Sequence, residues 1–428
     1  MNSTAPNNKR KIVNDPVYGF ININSDLLYD LIEHPYFQRL RRIKQLGMTN
    51  LVYPAANHSR FQHALGACHL MSQTIEVMRS KGLEISDSEA EAVEIAILLH
   101  DIGHGPFSHA LEYSLIGNIT HEELSLLLMN ELNKQFEGKL SLAIQIFCDE
   151  YPKHFLHQLV SGQLDMDRLD YLKRDSFFTG VNEGIIGSDR IIKMLNVVDD
   201  QLVVEAKGIY SIEKFLIARR LMYWQVYLHK TVLSAEKLLV NILERASELA
   251  LQGVELFATP AFRWFLYQNI GREVIEQDQH SLRNGLITNF IAIDDSDVIA
   301  CIKVWANHSD IILSALCEAF INRKLFKIEL QQHAFDTERI EALRQQAAQK
   351  YGISILEAAY FVFSDTIANL AYQPGDHNNI KILYNDGTLT DIAAASDMLN
   401  LSALSNTVTK YFLCYPKEFA RPKMVTYR

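Results

Sequence analysis

Cysteine is scarce and scattered in this sequence. Cys68, Cys148, Cys301, Cys317 and Cys414 are all there is in 428 residues, with no Cys-x-x-Cys pair among them. An odd, dispersed set excludes a disulfide framework and fits reduced, mostly buried thiols, so a cytoplasmic protein is expected. Long apolar runs are missing too: none approaches the ~20 residues that span a bilayer, and no membrane partner is expected. Met1 to Lys11 is polar and lacks the apolar core of a signal peptide. Basic residues are not in excess. A formal net charge of −10 argues against a broad nucleic-acid surface, whose affinity comes from neutralising phosphates, but leaves room for a small basic pocket. Repeats and low-complexity segments are absent. What is present, 48% hydrophobic and 21% charged residues, is the composition of a globular chain with a sizeable core.

Residues 1–10 read as a disordered lead. Phe20-Ile21-Asn22-Ile23 alternates like a short strand, and Ser25 caps a helix whose apolar face is Leu27, Leu28, Leu31 and Ile32. Phe37 to Lys44 is the most basic stretch, read as a solvated helix face or a phosphate contact. Arg60 opens a helix that continues past Met78. Ser86 or Ser88 caps the next, which runs into His100. Thr120-His121-Glu122-Glu123 has the form of a capping box. Helices continue to about Tyr171 and resume at Ser188, Leu202 to Glu205 is a small strand, and a long helix without Gly or Pro is expected from Ser211 to about Leu251. Beyond a soft boundary near 250, helices are expected over 297–307, 309–323 and 337–351. A strand at Ile380 to Tyr384 turns through Asn385-Asp386-Gly387 and returns over Thr388 to Thr390.

The densest chemistry lies in His100-Asp101-Ile102-Gly103-His104-Gly105-Pro106-Phe107-Ser108-His109, at the end of an apolar helical run. A charge in such a place is costly unless it is paired or bound to a metal. Adjacent helical residues point about 100° apart, so His100 and Asp101 share one ion only where other elements close round them. His63 and Asp167, on separate helices, are the candidates to do so. Imidazole and carboxylate together suit Zn, Mn, Fe, Co or Ni and leave positions open for water and a phosphate oxygen. In the stretch Asp165 to Asp175, Asp167, Arg168, Tyr171 and Asp175 share one helix face. An ordinary solvated face held by pairs such as Asp170 with Arg174 is the alternative there. Arg219, Tyr223, Tyr227 and Lys230 form a similar stripe, which packing alone would also explain.

Four blocks, 37–47, 59–66, 100–109 and 165–171, resemble in order the HD-domain phosphohydrolases, and in particular their deoxynucleoside triphosphate triphosphohydrolase branch. The resemblance runs from about Lys11 to Lys230. It implies a mainly α fold with an HD-domain helical core and a few short strands, plus a mixed α/β C-terminal region, residues 1–250 forming the catalytic region. Residues 251–428, which do not match well, are expected to be a mostly helical accessory region with a short β element. It implies one divalent transition metal held by His63, His100, Asp101 and Asp167, with Mg entering alongside the nucleotide. His104, His109, His121 and Glu112 would then surround the scissile phosphate. Arg60, Arg168 and Arg219 would hold the triphosphate, and Gln45, Tyr171 and Asp175 would read the sugar. Tyr171 and Leu46 would crowd a 2′-hydroxyl. The implied reaction is water attack on the α-phosphorus, releasing deoxynucleoside and tripolyphosphate, in a dimer or tetramer.

The chain departs from the vertebrate pattern at Glu112 (an Asp there), Gln62 (a Glu there), Tyr223 and Leu228. Lys11, Asn14, Glu33 and Arg41 fall where relatives bind an activating nucleotide between subunits, with Glu33 in place of an Asp. Two alternatives stand beside the main reading. One is an HD phosphohydrolase for nucleoside monophosphates, cyclic or oligonucleotides, or alarmones. The other is a catalytically silent nucleotide sensor or nucleic-acid-binding scaffold.

Overall fold

The computed structural model describes residues 11–107, 117, 119–268, 270–272, 280–370, 372–373, 379–397 and 407–419. His109, Glu112 and the lead over residues 1–10 lie outside them. The protein is mainly helical. A hairpin of β1 (Lys11–Asp15) and β2 (Gly19–Ile23) precedes the Asp26–Glu33 helix, whose Ser25 hydroxyl accepts from the Leu27 and Leu28 amides at 3.1 and 3.3 Å. The helical core is built by Arg60–Ser80, Asp87–Leu99, His121–Gln135 and Met166–Thr179. Leu70, Met71, Val93, Ile97, Leu128 and Leu169 close its interior. The expected capping box at Thr120 forms, and Ser86, one of the two cap candidates, forms another. Thr120 Oγ1 accepts from Glu123 N at 3.2 Å while Glu123 Oε2 accepts from Thr120 N at 2.9 Å, and Ser86 pairs in the same way with Glu89.

Two helices differ from their sequence reading. Met166–Thr179 runs past Tyr171 to end at Gly180, whose φ of 73° is the left-handed cap that glycine adopts without penalty. The long helix from Ser211 is two helices, Ile209–Met222 and Lys230–Leu251, joined through a π-helical turn at Tyr223–Tyr227. Leu228 N donates to Tyr223 O, five residues back, at 2.7 Å, and Tyr53 Oη donates to the Gln225 carbonyl at 2.8 Å. His229 then caps the second helix, accepting from Thr231 N. No Gly or Pro marks the break because tertiary partners make it.

The later chain is mixed. Helices Asp295–Trp305, Ile311–Ile321 and Thr337–Tyr351 accompany an antiparallel sheet in which β9 (Val408–Tyr415) lies between β5 (Lys327–Gln331) and β6 (Phe363–Asn369). A second sheet runs β3 (Leu195–Val198), β4 (Gln201–Glu205), β7 (Lys381–Leu383), β8 (Leu389–Asp391). Its β4–β7 pair is parallel, Val203 opposite Lys381, so the early chain and the late chain share one sheet. Among the described residues no helix is long and apolar enough to cross a membrane.

Glu89 ties the Asp87–Leu99 helix to the Lys153 loop. Lys153 Nζ donates to it at 2.9 Å, Tyr151 Oη at 2.7 Å and Ser86 N at 2.8 Å. Burial opposes ionisation, but these donors outweigh it and hold the carboxyl down at about 2. A carboxyl lowered on folding stabilises above its unfolded value of about 4.3, and that contribution is lost as pH falls toward the folded value. Urea unfolding between pH 5 and pH 2 is therefore expected to show a shallower acid decline for Glu89→Gln than for the wild type. An unchanged slope would remove Glu89 as a source of acid sensitivity.

Candidate active site

Three helix ends converge on one point. His63 lies in the first turn of Arg60–Ser80, His100 caps the end of Asp87–Leu99, and Asp167 lies in the first turn of Met166–Thr179. The donor atoms of His63, His100 and Asp101 lie within 4.8 Å of one another. Asp167 Oδ1 is 3.1 Å from His63 Nε2 and 3.6 Å from His100 Nε2. The outer nitrogens are already committed: His63 Nδ1 to Asp170 at 2.7 Å, His100 Nδ1 to the Ile97 carbonyl at 2.6 Å. Each inner Nε2 is buried and makes no hydrogen bond of acceptable direction.

Two buried imidazole nitrogens left open toward two carboxylates fit a divalent cation, and the donor types suit a borderline transition ion. The electrostatics agree. Burial alone would depress His63, yet the Asp167 and Asp170 carboxylates outweigh it and raise it to about 10. Burial would raise Asp167 and Asp101, yet the surrounding cations hold both well below the usual carboxylate range. The pocket is built around negative charge that a cation must balance.

The loop after Asp101 is pinned from outside the motif. Arg39, read with its neighbours as a solvated face, is fully buried. It donates to the Ile293, Ile102 and His104 carbonyls at 3.1, 3.3 and 2.7 Å and lies over the Phe290 ring. Burial lowers its guanidinium to about 9, still charged at neutral pH. Asp295 accepts from Phe107 N and Lys44 N, both at 3.1 Å. His104 Nε2 lies 3.1 Å from Asp101 Oδ1, and its ring stacks on His121 with centroids 3.9 Å apart. Burial, with Arg60 nearby, pushes His104 down to about 3, so it is neutral at physiological pH.

A cavity of about 430 Å³ opens beside this cluster. Arg60, ion-paired to Asp101, reaches it from the cluster side, and Gln45, Leu46, Tyr171 and Asp175 line it. Tyr227, aimed by the π-helical turn, donates from Oη to Asp175 Oδ2 at 2.7 Å, and His58 Nε2 lies 2.8 Å from Oδ1. Burial raises Tyr171 and Tyr227 far above the usual phenol range, so both keep their protons. Glu236, Lys237 and Val240 of the Lys230–Leu251 helix also line the cavity. Arg168 and Arg219 line a second, polar cavity of about 220 Å³ with Gln163 and Tyr372. Gln62 completes the capping box of the Arg60 helix, its Oε1 accepting from Ser59 N at 2.8 Å.

Of the residues expected at a regulatory site, Lys11 hydrogen-bonds Tyr29 and lies within electrostatic reach of Glu33. Asn14 sits opposite Phe20 in the hairpin, and Arg41 covers the Phe61 ring. Sequence reasoning missed Arg39, His58, Asp295 and the burial of Asp170 and Arg174. Asp170, one turn on from Asp167, carries a signal for this, since a ligating histidine almost always gives its other ring N–H to a carboxylate, a backbone carbonyl or water.

A helical core organised on a His-Asp doublet, with further donors brought in by flanking helices, defines the class. The sequence pattern of the HD domain matches residues 60–175, and that of the HD associated region matches 186–258. The chain is 31% identical over 429 residues to the uncharacterized protein YwfO of Bacillus subtilis, covering 96% of this chain and 94% of that one. It is 31% identical over 264 residues to human deoxynucleoside triphosphate triphosphohydrolase SAMHD1, covering 51% of this chain and 42% of the human protein, so it spans less than half of that relative. The crystal structure of a phosphohydrolase from Bacteroides thetaiotaomicron superposes with a TM-score of 0.90 at 59% identity, covering 95% of this chain and 99% of that one. The chain belongs to the HD-domain phosphohydrolase family.

Proposed function

We propose that the protein is a metal-dependent deoxynucleoside triphosphate triphosphohydrolase. The observation that carries this reading is the joining of one cavity to one cluster. The 430 Å³ cavity, of a size that holds a small ligand, runs from Gln45, Leu46, Tyr171 and Asp175 to Arg60 at the edge of the His63, His100, Asp101, Asp167 group. Those four residues would hold one divalent ion (Zn, Mn, Fe, Co or Ni), with Mg accompanying the nucleotide. When bound, the ion supplies a water of lowered pKa and polarises a phosphoryl oxygen.

The chain's own residues do the rest. Arg60, Arg168 and Arg219 bind polyphosphate through planar guanidinium forks, and the polar cavity beside Arg168 and Arg219 takes its far end. Asp175 accepts from the 3′-hydroxyl, Gln45 contacts the sugar, and Leu46 with Tyr171 leaves no room for a 2′-hydroxyl. Water attacks the α-phosphorus and the bond from phosphorus to the 5′ oxygen breaks. The 5′ oxygen takes a proton and leaves as deoxynucleoside, while the water oxygen stays on tripolyphosphate. His104, His109 and His121, with Glu112, handle that proton. Residues 1–250 carry the machinery, 251–428 support it, and the working form is a dimer or tetramer. Lys11, Asn14, Glu33 and Arg41 are proposed to receive an activating nucleotide.

The test is a panel of deoxy- and ribonucleoside triphosphates and nucleoside monophosphates with Mn²⁺, Mg²⁺ or Co²⁺, products separated by ion-exchange chromatography. Tripolyphosphate and deoxynucleoside in equal amounts are expected, with deoxy substrates preferred. Pyrophosphate with monophosphate, or turnover confined to monophosphates, would overturn the reading.

A further inference from the structure

The geometry points to the N-terminal hairpin as part of the metal centre: we propose that Asp15 of β1 positions His63 through Arg174 and Asp170. This rests on the reading of His63 as a metal ligand. The connection is continuous and buried. Asp15 Oδ2 accepts from Arg174 Nη1 at 2.7 Å. Arg174 forks onto Asp170, Nε to Oδ2 at 2.9 Å and Nη2 to Oδ1 at 3.0 Å. Asp170 Oδ2 then lies 2.7 Å from His63 Nδ1. The Arg174, Asp170 and His63 side chains have no solvent exposure at all.

Each member fixes the next. Asp170 holds a proton on His63 Nδ1 and so turns the Nε2 lone pair toward the cluster, the usual task of a carboxylate behind a ligating histidine. Its Oδ2 is shared between His63 and Arg174, so any rotation of the guanidinium moves the oxygen that orients the imidazole. Arg174 has three donors in this network, and Asp15 occupies the one that Asp170 does not. Gly66, one turn along the helix from His63, shows that the fork was given room. A Cβ there would lie 2.0 Å from Asp170 Oδ1 and 2.2 Å from Arg174 Nη2.

The hairpin end is equally determined. Asp15 Oδ1 accepts from the Val17 and Tyr18 amides at 2.9 and 3.0 Å, which leaves Oδ2 for Arg174. The Tyr18 ring lies 5.6 Å from the Arg174 guanidinium and covers it. A displacement of β1 against the Met166–Thr179 helix therefore reaches His63 through two shared hydrogen-bonding groups.

Asp15→Asn separates the two uses of the side chain, since its amide oxygen keeps the turn while its NH₂ cannot accept from Arg174. Binding of Co²⁺ alone to the full chain, followed by visible absorption, is the readout. Urea unfolding of the metal-free protein runs alongside. Asp15→Asn is expected to fold with a lowered metal-free unfolding midpoint, since Arg174 Nη1 loses a buried acceptor. Without urea, where it is fully folded, it is expected to bind Co²⁺ about tenfold to a hundredfold more weakly, with affinity regained in Asp15→Glu. Arg174→Lys keeps the buried charge but loses the fork, and is expected to weaken binding likewise. Wild-type affinity in both Asp15→Asn and Arg174→Lys, with affinity lost in His63→Ala, would overturn the inference and leave the metal centre standing. Wild-type affinity in His63→Ala would overturn the metal centre itself.

Discussion

On the proposed triphosphohydrolase reading, Asp167→Ala is expected to lower tripolyphosphate release by at least about a thousandfold and to lose metal binding, while the protein stays folded. Asp167 Oδ1 lies 3.1 Å from His63 Nε2 and 3.6 Å from His100 Nε2, so one carboxylate oxygen faces both open imidazole nitrogens. Without it, the open Nε2 atoms of His63 and His100 face a single carboxylate, Asp101, which is also engaged by Arg60 and His104. A loss of about 4 kcal/mol of transition-state stabilisation, the scale of several kcal/mol that a bound metal supplies, corresponds to about a thousandfold in rate. The fold should survive because the Asp167 side chain is 29% exposed and its helix is capped by Asp165, not by Asp167. Metal content by atomic emission and release rates on the same folded sample are the measurements. Wild-type turnover in a folded Asp167→Ala protein would place the chemistry elsewhere. Asp170→Asn offers a graded comparison, because it disturbs the orientation of His63 without removing a donor from the cluster.

What could be read in advance was whatever is local in the chain. Ser25, Ser86 and Thr120 cap the helices that follow them because a hydroxyl two or three residues from free amides has one good use. His100 and Asp101 stand out because an apolar helix ends in them, and the four ordered blocks named the family. The unread parts depend on partners far away in sequence. Asp170 and Arg174 have the spacing of a surface pair, and they are buried by partners on other elements: Asp15, Tyr18 and His63 pack on them, and Gly66 leaves the room. Arg39 sits among exposed arginines, yet carbonyls at 102, 104 and 293 each accept from one of its three guanidinium nitrogens. The π-helical turn at Tyr223–Tyr227 carries no breaker residue, since Tyr53 and the cavity wall shape it. Asp295 reaches back about 190 residues to hold Phe107. Periodicity reports which face of a helix is apolar, but not which polar groups a distant segment will bury.

Gly103→Ala is expected to cost about 3 kcal/mol of stability and to lower turnover by at least about a hundredfold, two effects with one cause. A Cβ at Gly103 would lie 2.2 Å from the His121 carbonyl oxygen and 2.3 Å from Ser125 N, both backbone atoms that cannot rotate away. The contact is close because the His121–Gln135 helix docks its first turn directly on the motif loop. Gly103 N donates to Ser125 Oγ at 2.9 Å, and Ser125 Oγ donates to the His100 carbonyl at 2.7 Å. Insertion of a methyl forces the helix outward, at the upper end of overpacking costs. His121 then leaves its stacked position on His104, and a misplacement of about 1 Å in a reacting group can lower a rate about a hundredfold. Ser125→Ala makes the contrast: it removes two hydrogen bonds for about 1 to 3 kcal/mol but adds no volume, so His121 stays and turnover falls far less. Urea unfolding and release rates for the two variants separate lost bonding from lost position. Gly103→Ala with a wild-type midpoint and wild-type turnover would mean that the helix has room to yield, and that the stacking of His121 on His104 does not matter to the chemistry.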